Sequence, residues 1–155
     1  MQLTKQASTT SMIGQGVGSG VAGTAVTTAF QKFVEMPLTQ RSDSFAPAEF
    51  AEKVTPITTT TQQGRQRLNN VTHFTLGTLW GTAYGVAARK GLRGQTAVNV
   101  VFGVVYAGDV LLNTALGLYR PREWSKKDLV IDVVDKYVQA QATGAVFDRL
   151  LDPAR

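Results

Sequence analysis

Residues 14–23 read GQGVGSGVAG, and positions 18–23 of this stretch fit the G-x-G-x-x-G pattern of dinucleotide-binding loops. A dinucleotide site also needs a buried strand before the glycines, a helix after them and an acidic residue about 20 positions further on. Residues 4–13 contain no apolar run for such a strand, and Asp43 stands at the right distance but in a proline-bounded loop. The surroundings therefore do not support a nucleotide site, and the glycines need another explanation.

The same glycines fit the packing face of a membrane helix. Small residues recur every four positions from Gly16 to Thr24, and a later segment repeats this spacing from Gly77 to Gly85. Lipid removes the hydrophobic attraction between helices, so close backbone approach through small residues holds them together. The sequence therefore predicts glycine-mediated helix packing. The candidate helix-packing residues are Gly16, Gly20, Gly23, Gly77, Gly81 and Gly85.

Charged residues make up only 17% of the chain, and they are unevenly placed. No charged residue lies between Lys5 and Lys32, and Asp109 is the only one between Arg93 and Arg120. A helix of about 20 uncharged residues is long enough to cross the hydrocarbon layer of a membrane. The sequence therefore predicts an all-α fold, a four-helix membrane bundle that forms a single domain over residues 1–155. The predicted helices cover residues 11–34, 68–88, 95–119 and 127–151, and one long polar loop covers residues 35–67.

The connections between these segments carry their own signals. Pro37 is predicted to end the first helix, and Pro47 to begin a short helix over residues 48–54 within the polar loop. The tight basic turn at residues 89–94 makes the second and third helices antiparallel neighbours. The fourth segment is amphipathic and either spans the membrane or lies at its surface. Basic clusters flank both ends of the segments, so the distribution of Lys and Arg does not predict the orientation of the helices in the membrane.

Polar side chains recur inside the predicted helices, where a carboxylate exposed to hydrocarbon costs several kcal/mol. These groups are therefore expected to face one another or water. One hypothesis is a polar interior that conducts ions or protons. The other is that Asp109 only fixes helix packing, while Asp132 and Asp135 lie near the membrane surface. The candidate intramembrane polar cluster consists of His73, Asn99, Asp109, Asn113, Asp132 and Asp135.

The composition argues against several other functions. The chain has no cysteine and a single histidine, and it lacks the spacing of metal-binding or nucleophile–base motifs. We therefore expect no catalytic residue, no metal site and no cofactor. The net charge of +5 is divided among short basic clusters beside the apolar segments, with no stripe of interleaved aromatic residues. The expected partner is therefore the lipid bilayer, and nucleic acid is not expected.

A further motif lies in the second segment, where residues 71–74 read VTHF and residues 77–85 read GTLWGTAYG. A histidine followed by glycine, Trp-Gly and Tyr-Gly, after a glycine-rich first span and a polar loop, resembles YagU-like and related small bacterial inner-membrane proteins. The order of spans is similar over residues 12–147, although the fourth segment is richer in Asp and Lys than the family pattern. The resemblance implies a helical bundle in the bacterial inner (cytoplasmic) membrane, and it implies no activity.

Together, these features predict a small polytopic integral membrane protein that is not an enzyme. It is expected to pack with copies of itself, as a homo-oligomer, or within a larger membrane complex. One alternative is a small ion or proton transporter or channel that uses the interior carboxylates. A second alternative is a soluble helical or nucleotide-binding protein.

Overall fold

The glycine-rich stretch forms part of the first long helix. The computed structural model describes residues 8–152, and in it α1 (Thr9–Phe30) begins where the Ser8 hydroxyl accepts a hydrogen bond from the Ser11 backbone N–H at 3.2 Å. Within this range the chain is helical and contains no strand, which confirms the all-α prediction. A helix through residues 14–23 also excludes the strand–loop–helix arrangement of a dinucleotide-binding loop.

The prediction that Pro37 ends the first helix is wrong. The chain passes through a π-helical turn, Gln31–Glu35, and continues as α2 (Met36–Thr39). Proline has no N–H to donate, and in a regular α-helix its ring clashes with a carbonyl one turn earlier. The wider π turn just before Pro37 is the kind of irregularity that accommodates such a residue. The helix ends only at Gln40, whose φ of 57° is left-handed.

The segment predicted as a polar loop over residues 35–67 contains more helix than expected. The short helix α3 (Ala46–Val54) has Pro47 in its first turn, as predicted. The next helix, α4 (Gln62–Arg89), begins where the Thr61 hydroxyl accepts a hydrogen bond from the Gly64 N–H at 3.0 Å. Asn69 of α4 accepts a hydrogen bond from the Ala48 N–H at 3.1 Å. This contact fastens α3 to α4.

The remaining helices are α5 (Gly94–Ala115) and α6 (Lys126–Val146), and a π-helical turn, Phe147–Leu151, follows α6. A short 3-10 turn, Pro121–Glu123, precedes α6. The start of α6 is capped reciprocally, because Ser125 and Asp128 each accept a hydrogen bond from the other's backbone N–H. Both α1 and α5 pack against α4 and α6.

Glycines bring α1 and α4 into backbone contact. A methyl group added at Gly16 would lie 2.5 Å from the Gly81 carbonyl oxygen, and one at Gly85 would lie 2.7 Å from the Met12 carbonyl oxygen. One turn along, Gly20 and Gly77 lie in the same seam. Gly23 instead lies against Thr143 of α6. The predicted packing glycines therefore lie at contacts within one chain.

The main apolar core lies at one end of the structure, beside the α4–α5 turn. Its centre is the fully buried pair Tyr84 and Phe147, whose ring centroids lie 5.3 Å apart. Further along, the interior becomes polar: Gln139 donates a hydrogen bond from Nε2 to the buried Thr24 hydroxyl at 3.1 Å. Thr143 of α6 is also fully buried there.

Among the described residues, α5 is the one helix long and apolar enough to cross a membrane. The prediction of a four-helix membrane bundle is therefore not confirmed by length and composition. Threonine, glutamine and asparagine lower the hydropathy of α1 and α4, and α6 carries Asp132, Asp135 and Lys136 near its middle.

Candidate functional site

The polar residues predicted as a cluster largely meet at one level between the helices, in what we name the polar layer. Its residues lie on adjacent turns of four helices, α1, α4, α5 and α6, or on the π turn after α1. It consists of Thr28, Gln31, His73, Tyr106, Asp109, Asn113, Asp132, Asp135 and Lys136.

One half of the polar layer links α5 to α6. Lys136 Nζ lies 3.3 Å from Asp109 Oδ2, and Asn113 donates from Nδ2 to Asp109 Oδ1 at 3.0 Å. The Tyr106 hydroxyl donates to Asp132 Oδ2 at 2.9 Å. Asp132 and Lys136 are four residues apart, as are Asp109 and Asn113, so each pair occupies one helix face. Asp109 of α5 is therefore neutralised by Lys136 of α6, and Asp132 of α6 is hydrogen-bonded to Tyr106 of α5.

The other half of the polar layer links α6 to the end of α1. Gln31 donates from Nε2 to Asp135 Oδ2 at 2.8 Å. The second oxygen of Asp135, Oδ1, is buried and has no hydrogen-bond partner among residues 8–152. Glu35, one turn after Gln31, accepts a hydrogen bond from the Thr39 hydroxyl at 2.7 Å and lies 4.0 Å from the Arg41 guanidinium.

His73 joins α4 to α1 through a hydrogen bond with Thr28. His73 Nε2 lies 3.2 Å from the Thr28 hydroxyl oxygen, which lies 2.8 Å from the Thr24 carbonyl oxygen. When the Thr28 hydroxyl donates to the Thr24 carbonyl, neutral His73 donates to Thr28 from Nε2; in the other tautomer, Nε2 accepts the Thr28 hydrogen and the His73 proton lies on Nδ1.

Asn99 does not join the polar layer. Its side-chain oxygen accepts hydrogen bonds from Gln95 at 2.9 Å and from the Tyr137 hydroxyl at 3.1 Å, and Gln141 donates to Gln95 at 3.1 Å. This group is exposed on the outer surface of α5 and α6. The prediction that Asn99 belongs to the polar cluster is therefore wrong: Asn99 lies on the exposed side of α5, as does Gly103 one turn later.

A second polar group, the Arg93 network, escaped the sequence-based prediction. Asp148 accepts hydrogen bonds from the Tyr84 hydroxyl at 2.5 Å and from the Gly94 N–H at 2.9 Å, and Arg93 lies 3.3 Å from its other oxygen. Arg93 also pairs with Asp152, and its guanidinium carbon lies 5.2 Å from the Phe147 ring centroid. Asp148 therefore caps the N-terminus of α5 from another helix.

A cavity of about 500 Å³ opens beside the Arg93 network. Its lining includes Tyr84, Gln95, Gln141, Asp148 and Arg149.

The sequence carried one signal for the Arg93 network: Asp148 and Asp152 are four residues apart at the end of the last predicted helix. Their partner Arg93 is 55 and 59 residues away, and it resembled an ordinary flanking cation.

Neither polar group is built as a metal centre. Within residues 8–152, no group of three or more His, Cys, Asp or Glu side chains could hold a metal ion. In comparisons with known proteins, no family model, curated protein or solved structure matches this chain. The resemblance to YagU-like proteins therefore stays a prediction.

Proposed function

We propose that this chain is a small polytopic integral membrane protein with a structural role, packing with copies of itself or within a larger membrane complex of a bacterial inner membrane. The observation that carries the proposal is an inverted distribution of polarity. Hydroxyl and amide side chains fill much of the interior, while aliphatic side chains cover the outside of the long helices. A water-soluble fold has the opposite preference.

The interior half of this argument rests on α1 and α6. Ser19, Thr24 and Thr143 are fully buried, and the buried Gln139 lies between two of them. Hydroxyls on helices can return their hydrogen bonds to their own backbone, as Ser19 and Thr24 do to the Gly16 and Gly20 carbonyls. Such groups need no water, so they suit a helix contact within lipid.

The outer half of the argument rests mainly on α4 and α5. Val71 and Leu79 of α4 are 66% and 57% exposed, and Val104 and Leu111 of α5 are 68% and 71% exposed. A core helix of a soluble protein can be as apolar as α5, but such a helix is mostly buried, whereas α5 is mostly exposed. A bilayer would cover these side chains, and in water they would form an extended apolar patch.

Membrane insertion has a direct test. After expression in a bacterium, the protein is expected to stay in the membrane pellet during an alkaline carbonate wash. Val104→Asp should lower the pelleted fraction, because Val104 lies at the middle of α5 and a charge at the centre of a spanning helix costs about 2.5–3.5 kcal/mol. Leu38→Asp is the matched control, since Leu38 is also highly exposed, at 79%, but lies outside the long helices. Release of the unmodified protein into the supernatant would refute the membrane proposal.

Self-association needs a face that the chain does not already use. The glycines of α1 and α4 contact each other, whereas a methyl group added at Gly103 or Gly108 of α5 would meet nothing within 4 Å. Gly103 and Ala107 are four residues apart and exposed, and Val104 and Leu111 extend the same apolar side. Small residues with this spacing permit close contact between identical helices. We therefore assign the self-association contact to the outer face of α5.

The assignment predicts that Gly103→Ile weakens self-association about tenfold or more, corresponding to about 1.4 kcal/mol. A bulky branched side chain at the contact prevents close approach of the helix backbones. Gly14→Ile is the matched control, because Gly14 also has open space around it but lies on α1. The self-association of the two variants is compared by energy transfer between labelled copies in liposomes, over a series of protein-to-lipid ratios. Equal effects of the two substitutions would show that the outer face of α5 does not form the self-association contact.

Ion or proton transport is the second candidate function, and the polar layer is the observation that favours it. Carboxylates from α5 and α6, a lysine and a histidine lie on adjacent turns, where they could exchange protons through side chains or water. The soluble alternative has weaker support, because it leaves the aliphatic surface of α4 and α5 in water.

A further inference from the structure

Asp135 is the one carboxylate among residues 8–152 with a buried oxygen that has no hydrogen-bond partner. Gln31 donates to its Oδ2 at 2.8 Å, and its Oδ1 is buried without a hydrogen-bond partner in the described part of the chain. Asp109 instead forms an ion pair with Lys136 and accepts a hydrogen bond from Asn113. Asp132 accepts a hydrogen bond from the Tyr106 hydroxyl. An ionised carboxylate that keeps one buried oxygen unpaired is costly, whereas a neutral acid avoids most of that cost.

The charges around Asp135 also do not balance. Glu35 on the π turn after α1, Asp132 on α6 and Asp109 on α5 supply further carboxylates, and the nearby cations are Arg41 and Lys136. Each cation already lies against another carboxylate: Arg41 is 4.0 Å from Glu35, and Lys136 is 3.3 Å from Asp109. From α4, His73 faces Lys136. An ionised Asp135 would therefore add an unpaired negative charge beside Glu35 and Asp132.

We propose that Asp135 is a proton-binding site in the folded protein and that the proton controls the contact between α6 and the end of α1. The proton comes from solvent and binds reversibly to Oδ1, so the carboxyl group becomes neutral while Oδ2 still accepts the Gln31 hydrogen bond. Loss of the proton places a negative charge beside Glu35, which pushes α6 and the π turn apart. The proposal concerns the interior of the fold and does not depend on membrane insertion.

Infrared spectroscopy of the purified full chain tests the proton directly. A protonated carboxyl group has a carbonyl stretch separate from those of carboxylates and amides, and its frequency shifts on transfer to deuterated water. We expect this band near neutral pH in the unmodified protein and its loss in Asp135→Asn. Asp132→Asn is the matched control and should retain the band. Absence of the band from the unmodified protein, or its survival in Asp135→Asn, would overturn the proposal.

The pH dependence of stability supplies a second readout. If the folded state holds a proton that the unfolded state releases, stability falls as pH rises. The melting temperature of the unmodified protein should therefore decrease between about pH 5 and about pH 8 relative to that of Asp135→Asn. Asparagine is neutral throughout and can keep the Gln31 hydrogen bond, so this variant should fold and lack that part of the slope. Identical slopes, or a relative increase with pH in the unmodified protein, contradict the proposal.

Discussion

Gly81→Ala is expected to destabilise the fold by about 2 kcal/mol, although alanine is the better helix former. The added methyl group would overlap the Gly16 carbonyl group and approach the Gly20 backbone N. Neither neighbour is a side chain that can rotate away, so α1 and α4 must move apart along the whole seam. Overpacking of this kind costs about 3 kcal/mol at the upper end of its usual range, and the helix propensity of alanine offsets about 1 kcal/mol. Unfolding in mild detergent, followed by circular dichroism, measures the difference.

Gly14→Ala is the control for this experiment, because it makes the same chemical change within α1. A methyl group at Gly14 meets nothing within 4 Å, so only the gain in helix propensity remains. We expect a stabilisation of up to about 1 kcal/mol, opposite in sign to the effect at Gly81. If both substitutions change stability in the same direction by similar amounts, backbone contact is not what makes Gly81 important.

The contrast between Gly14 and Gly81 shows how far the sequence could lead. Four-residue spacing predicts which glycines share a helix face, and the structure places Gly16, Gly20, Gly77 and Gly81 along one seam. Spacing does not identify the partner, because a small-residue face fits another helix of the same chain as well as a second copy. Contact between α1 and α4 requires the tertiary arrangement.

The turn before Pro37 shows a different limit. Proline is a reliable sign that a regular α-helix cannot continue, but a π turn such as Gln31–Glu35 changes the hydrogen-bond register ahead of it. The sequence has no clear signal for that change. The result matters for the polar layer, because Gln31 and Glu35 both lie on this turn and face α6.

Pairing within the polar groups was equally beyond the sequence. Asp109, Asp132 and Asp135 could be recognised because carboxylates are unusual in apolar segments. Their partners depend on helix rotation: Asp132 turns toward Tyr106 on α5, while Asp135, three residues later, turns toward Gln31. The Arg93 network was missed altogether, because its residues are distant in sequence.

The Arg93 network carries the other prediction with a large effect. Arg93→Gln is expected to lower the free energy of unfolding by about 3 kcal/mol, because it removes the guanidinium from two buried carboxylates. The Asp148 and Asp152 side chains are only 6% and 7% exposed, while the Arg93 side chain is 26% exposed. That partial exposure places the expected loss at the lower end of the range for a broken buried pair. Loss of the Arg93 contact with the Phe147 ring adds to the effect.

Arg120→Gln is the matched control, since it makes the same substitution in an exposed ion pair. The Arg120 and Glu123 side chains are 72% and 68% exposed, and their separation is 3.5 Å. Water already solvates both charges, so this change should cost less than about 0.5 kcal/mol. Adding Asp152→Asn to Arg93→Gln removes a stranded negative charge and should restore part of the lost stability. If Arg93→Gln costs no more than Arg120→Gln, or if Asp152→Asn restores nothing, the network does not hold the end of α6 against the start of α5.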